Sequence, residues 1–139
     1  MKTIKIAITA ACFSGNKGAA AMLQSSIKQL KERYGDDLNI LLMSTYPDAD
    51  RRLIAEMPEK YDFIKVVNTK PEKLLFITFP LAMLYSFMRF IPGLRGLFRL
   101  NKIIRAYSEA DVVIDEAGIS FVDSRGFVMN TYAFVCAAV

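Results

Sequence analysis

From Thr3 to Thr9 apolar and polar positions alternate, and the stretch runs on into the small residues Ala10 and Ala11. That pattern suits a central buried strand. Ser14-Gly15-Asn16-Lys17-Gly18 follows as a turn cluster. From Ala19 to Tyr34 the apolar residues Ala19, Met22, Leu23, Ile27 and Leu30 fall at helical spacing, with Gln24, Lys28, Lys31 and Glu32 on the outer face. Gly35 is placed to stop this helix. Leu38–Ser44 is a second short apolar run bounded by turns. Pro47-Asp48 then opens a short helix over 49–57, with Asp48 as N-cap. Phe63–Val67 and Asp111–Asp115 read as a third and a fourth strand, and Phe127–Val139 as a further helix.

Strands alternating with helices predict an α/β fold, a Rossmann-like open parallel sheet with right-handed crossovers. A chain of 139 residues suffices for one domain with a core. No internal repeat and no low-complexity linker interrupts it. The last helix reaches Val139 without a cap, so the natural chain is expected to continue into a C-terminal domain.

Composition changes this picture in one place. Hydrophobic residues make up 53% and charged residues 23%, which excludes a disordered chain. The mean hydropathy of +0.27 is high enough that some apolar surface should meet a membrane or more protein. The net charge of +4 belongs to one segment. Between Lys73 and Ser108 stand Lys73, Arg89, Arg95, Arg99, Lys102 and Arg105 and no acidic residue. The remainder carries 12 basic residues (18 − 6) against 14 acidic ones. A nucleic-acid partner is not expected, because no basic stripe with stacking aromatics appears elsewhere.

The same segment, about 70–106, is apolar as well as basic. Leu74–Met88 holds no charge, yet it is shorter than the roughly 20 residues of a membrane span and contains Pro80. Two readings stand side by side. One is a helix in the interface of an anionic membrane through residues 73–105. The other is a helical hairpin packed on the sheet, with its arginines reaching water.

Cys12 and Cys136 are the two cysteines, and the chain has no histidine. No Cys/His cluster points to zinc, and nothing calls for a cofactor. A reduced compartment is the simpler setting. The stretch before Ala10-Ala11-Cys12 faintly resembles a lipoprotein signal, but Lys5 interrupts its apolar run. The expected location is cytoplasmic, peripheral on the inner face of the plasma membrane if the basic segment docks there.

Two loops carry candidate chemistry. Ser14, Gly15, Asn16, Lys17 and Gly18 lie between a strand and a helix, where free N–H groups favour an anion. The spacing is neither a Walker loop nor GxGxxG, and a tight strand-to-helix turn would show the same residues. The other loop leaves the Asp111–Asp115 strand with Glu116, Gly118, Ser120, Asp123 and Arg125. Ligands of open α/β sheets gather at carboxyl ends of strands. Glu116 or Asp123 could act there as general base or orient a sugar hydroxyl. The alternative is a capped turn in which Asp123 or Ser124 starts the next helix.

These two stretches carry a resemblance. Gly15 to Leu23 and Ala110 to Asp123 resemble the N-terminal half of the polysaccharide pyruvyl transferases. Many members have a Gly-Gly pair where this chain has Ala117-Gly118. The resemblance implies one half of a GT-B-like two-domain fold, with the site in the cleft between halves. It implies transfer of the enolpyruvyl unit of phosphoenolpyruvate onto a saccharide acceptor, often lipid-linked, to form a pyruvate ketal. Phosphoenolpyruvate wants cations or helix N-termini, and Lys17 and Arg125 stand nearest the two loops. With one wall of the cleft, these 139 residues are expected to be inactive without a C-terminal domain or partner subunit. Two other readings remain open: a GT-B glycosyltransferase domain using a nucleotide-sugar, and a non-catalytic membrane-docking module.

Overall fold

The computed structural model of the chain describes residues 3–57, 61–88 and 100–116. Strands β1 (Ile4–Thr9), β2 (Leu38–Ser44), β3 (Ile64–Asn68) and β4 (Val112–Asp115) form an open parallel sheet in the order β3-β2-β1-β4. Helix α1 (Lys17–Tyr34) and a 3-10 turn (Gly35–Asp37) join β1 to β2, and α2 (Pro47–Glu56) joins β2 to β3. A helical stretch follows in three pieces: α3 (Pro71–Lys73), a π-helical turn (Leu74–Thr78) and α4 (Phe79–Met88). Helix α5 (Lys102–Glu109) precedes β4. The Rossmann-like α/β expectation is borne out, with each strand within a residue or so of its predicted place.

The two central strands explain their own composition. In the register Ile6↔Ile40 and Ile8↔Leu42, one face of the sheet meets Phe13 and the α1 residues Leu23 and Ile27 in a buried core. The intervening Ala7, Leu41 and Met43 face the other way, onto Leu74, Ile103 and Ala106. A strand covered on both faces must be apolar at successive positions, which is why Ile6, Ala7 and Ile8 of β1 and Ile40 to Met43 of β2 are apolar without a break.

Helix α1 starts at Lys17, two residues before the predicted start. Asn16 is the reason: its Oδ1 accepts the Ala19 N–H at 3.0 Å and its carbonyl accepts the Ala20 N–H at 3.0 Å. Gly35 ends the helix as predicted, at φ +58° with its N–H on the Lys31 carbonyl. Only a residue without Cβ takes that left-handed turn readily.

The N-cap expectation for Asp48 is corrected. Tyr46 holds the cap position and Pro47 is the first helical residue, where its fixed φ and missing N–H suit the helix start. Asp48 lies inside the first turn and pairs with Arg51 at 3.0 Å.

The apolar segment after Lys73 packs on the sheet through one stripe. Leu74 and Thr78 are buried, and Leu75 and Phe79 are partly buried against the second core. Asn101 ties this stretch to α5. Its Oδ1 accepts the Ile103 and Ile104 N–H groups at 2.9 and 3.3 Å, while its amide donates to the Thr78 hydroxyl at 3.3 Å. At the other end of α5, Glu109 pairs with Arg105 at 2.7 Å and with Lys5 of β1 at 3.3 Å. Both partners hold the Glu109 carboxyl below its usual range, Arg105 most strongly. Among the described residues no helix is long and apolar enough to cross a membrane. The predicted helix over 127–139 lies outside the described residues.

Candidate functional site

Strand β1 has β2 on one side and β4 on the other. The chain therefore leaves β1 toward one half of the sheet and returns on the other, and β1 and β4 flank a topological switch point. The glycine loop leaves the carboxyl end of β1, and the second loop leaves the carboxyl end of β4. The two strand ends from which they leave are joined: the Glu116 N–H donates to the Thr9 carbonyl at 3.1 Å.

The backbone changes direction sharply at this point. Ala10 takes φ +57°, in the left-handed region that a residue with a Cβ rarely adopts. Such a conformation costs on the order of 1 kcal/mol and persists where its surroundings impose it. Ala11 and Phe13 are buried beneath the turn and anchor it to the first core.

A carboxylate that sequence reasoning missed organises the turn. Asp50 of α2 is fully buried. Its Oδ1 accepts the Ser14 N–H at 2.8 Å, and its Oδ2 accepts the Ser44 hydroxyl. The Ser44 Oγ in turn accepts the Tyr46 N–H at 2.9 Å. The carboxylate thus fastens the β1–α1 loop to the β2–α2 turn at the carboxyl end of the sheet. A signal was present: a serine closing a strand, followed by an aspartate in the first turn of the next helix.

Gly15 sits against Cys12. A Cβ on Gly15 would come within 2.5 Å of the Cys12 Sγ, so no larger residue fits without movement. The Cys12 thiol is partly exposed and free. Burial raises its pKa, the nearby Asp50 charge adds to that, and a hydrogen bond from the Gly15 backbone opposes them.

The predicted site residues divide into three groups. Ser14, Gly15, Asn16, Lys17 and Gly18 all lie on the loop or in the first turn of α1. Asn16 already occupies the Ala19 N–H, so the N–H groups that the helix itself leaves over are those of Lys17 and Gly18. The Lys17 side chain is exposed. Glu116 belongs to the second group. Both of its carboxylate oxygens are buried with no hydrogen-bond partner among the described residues, and the same holds for the Ser14 hydroxyl. Gly118, Ser120, Asp123 and Arg125 form the third group and lie outside the described residues.

A buried carboxylate without partners is costly unless something arrives to hydrogen-bond it. The site thus combines free helix N–H groups, one hydroxyl and one carboxylate at the switch point. That set can hold an anionic group at the start of α1 and accept a proton at Glu116. Among the described residues no group of three or more Cys, Asp or Glu side chains is placed to hold a metal ion.

A separate groove of about 860 Å³ runs over the edge strand β3, away from this site. Its rim includes Arg51, Lys65, Lys73, Lys102 and Arg105, with Glu109 as the one acidic residue among the described lining residues. Comparison with protein-family models, with curated proteins and with solved structures finds no match for this chain.

Proposed function

We propose that the chain is a polysaccharide pyruvyl transferase or its N-terminal half, contributing one wall of the cleft. One observation carries the reading: of the two stretches that resemble that family, Gly15 to Leu23 follows β1 and Ala110 to Asp123 contains β4, and these neighbouring strands are joined at the switch point by the Glu116–Thr9 hydrogen bond. The proposed donor is phosphoenolpyruvate and the proposed acceptor a saccharide of a cell-surface polysaccharide precursor.

In this reading the donor phosphate lies at the start of α1, near the Lys17 and Gly18 N–H groups and the Lys17 ammonium. Two acceptor hydroxyls add to the central carbon of the enolpyruvyl unit, and the bond from that carbon to the phosphate oxygen breaks. One hydroxyl proton ends on the methylene, which becomes the methyl of the ketal, and the other leaves with the phosphate. Glu116, whose carboxylate oxygens are buried with no hydrogen-bond partner among the described residues, takes the proton of an attacking hydroxyl. The work is done in the cytoplasm, where phosphoenolpyruvate is available, at the inner face of the membrane when the acceptor is lipid-linked.

The test uses the protein isolated from its native cells, with whatever domain or subunit accompanies it. Phosphate release from phosphoenolpyruvate is measured with and without a panel of oligosaccharide acceptors. The expected result is release that requires an acceptor and falls by roughly 100-fold in Glu116→Gln. Acceptor-dependent release of a nucleoside diphosphate from a nucleotide-sugar instead, or no phosphate release from phosphoenolpyruvate with any acceptor, overturns the reading.

A further inference from the structure

The helical stretch from Lys73 to Leu84 is apolar on its outer side as well as on its inner one. Its inner stripe, Leu74 and Thr78, is buried against the sheet. Its outer stripe carries Phe76, Ile77, Met83 and Leu84, of which Phe76 is 79% exposed and Ile77 is 51% exposed. These positions follow Lys73 at helical spacing, so the apolar side chains line one outward face, with exposed Glu72 and Lys73 at its start and Lys102 and Arg105 along its groove side. Leu100, just before α5, is 77% exposed as well. A contiguous apolar face of this kind marks a surface that another phase or molecule covers.

The charge around the face says what covers it. Lys73 and Ile77 also line the groove over β3, together with Lys102 and Arg105. Lys73 and Lys102 form no ion pair with any carboxylate among the described residues, and no acidic residue lies between Lys73 and Ser108 in the sequence. A protein partner for such a face would need an acidic rim around an apolar centre. An anionic bilayer supplies both at once, with acyl chains beneath phosphate head groups.

We infer that this chain docks on an anionic lipid surface through the outer stripe Phe76, Ile77, Met83 and Leu84, with Lys73 and Lys102 meeting lipid phosphates at its border. The helix lies in the interface and does not span it. The docking stands on the exposed face and its charges, independently of the chemistry at the switch point.

The test is co-sedimentation with phosphatidylcholine vesicles, with and without phosphatidylglycerol, at low and high salt. The wild-type chain should bind the phosphatidylglycerol vesicles at low salt and release them as salt rises. Phe76→Ser with Ile77→Ser should weaken that binding by roughly tenfold or more. Both side chains are exposed, so the variant should keep its circular dichroism and its Tm. Lys73→Glu with Lys102→Glu, at two exposed positions, should weaken binding by roughly tenfold, and only to the anionic vesicles. No binding by the wild type at low salt overturns the inference, and so does unchanged binding by the serine variant. Light scattering on lipid-free protein supplies a further check. A dimer that the serine variant dissolves would assign the face to a second copy of the chain and overturn the lipid reading.

Discussion

The Ser14 backbone N–H and the Asp50 carboxylate meet at 2.8 Å across 36 residues of chain. Neither residue touches the other's element by sequence; the parallel pairing of β1 and β2 brings their two following turns together at one end of the sheet. Asp50 is fully buried, and among the described residues its carboxylate accepts from the Ser14 N–H and the Ser44 hydroxyl. The glycine loop is therefore held from α2 as well as from its own helix, which Asn16 caps.

Removing that anchor should be expensive. Asp50→Ala leaves the Ser14 N–H and the Ser44 hydroxyl without their acceptor, and should lower stability by about 2–4 kcal/mol. Asp50→Asn retains an oxygen for Ser14 and an amide for Ser44, and should lower it by less. Urea denaturation of the three proteins checks the order.

Gly15 and Cys12 should be coupled. Gly15→Ala drives a Cβ onto the Cys12 Sγ, at a separation of 2.5 Å if nothing moved, and should destabilise by about 1–3 kcal/mol. In a Cys12→Ala background the sulfur is gone, and the same substitution should cost well under half as much. A double-mutant cycle measured by thermal unfolding decides this.

The Cys12 thiol should be a poor nucleophile near neutral pH. Burial and the Asp50 charge both disfavour the thiolate and raise its pKa. Alkylation by iodoacetamide, mapped to the Cys12 peptide, should be slower than for an unstructured cysteine and should accelerate in Asp50→Asn. The sign for stability follows from the same shift. Protonated Cys12 favours the folded state below the thiol's ordinary pKa, and that contribution fades as pH rises through its raised folded value.

The two stripes of the helical stretch should respond oppositely. Leu74 is fully buried, so Leu74→Ala should lower stability by about 2–4 kcal/mol. Phe76 is mostly exposed, so Phe76→Ser should leave the unfolding midpoint nearly unchanged. Denaturation of both variants in the absence of lipid separates the face that holds the fold from the face that is free.

Much of the fold was legible in the chain because its signals are local. Apolar runs at Ile4–Thr9 and Leu38–Ser44, the helical spacing through Leu23 and Ile27, and Gly35 at the helix stop each act over a few residues. The Asp48 cap was misread because Pro47 competes for the same turn and places itself first. The glycine loop was visible as a candidate, since its turn residues and the following helix are neighbours in sequence.

Alternation of strands with helices, the fit of Thr3–Thr9 to a central buried strand, the apolar run Leu38–Ser44, and the basic, apolar stretch from Lys73 to Ser108 are local properties, readable along the chain. Tertiary structure alone decided the strand order, and with it the switch point that sets Glu116 beside Thr9. It alone decided that Asp50 holds the Ser14 loop, and that Leu74 turns inward while Phe76 turns outward. The reason is physical. Propensity and periodicity act within a turn or a strand, whereas burial of a carboxylate, or of one helical stripe and not another, depends on which elements distant in sequence cover it.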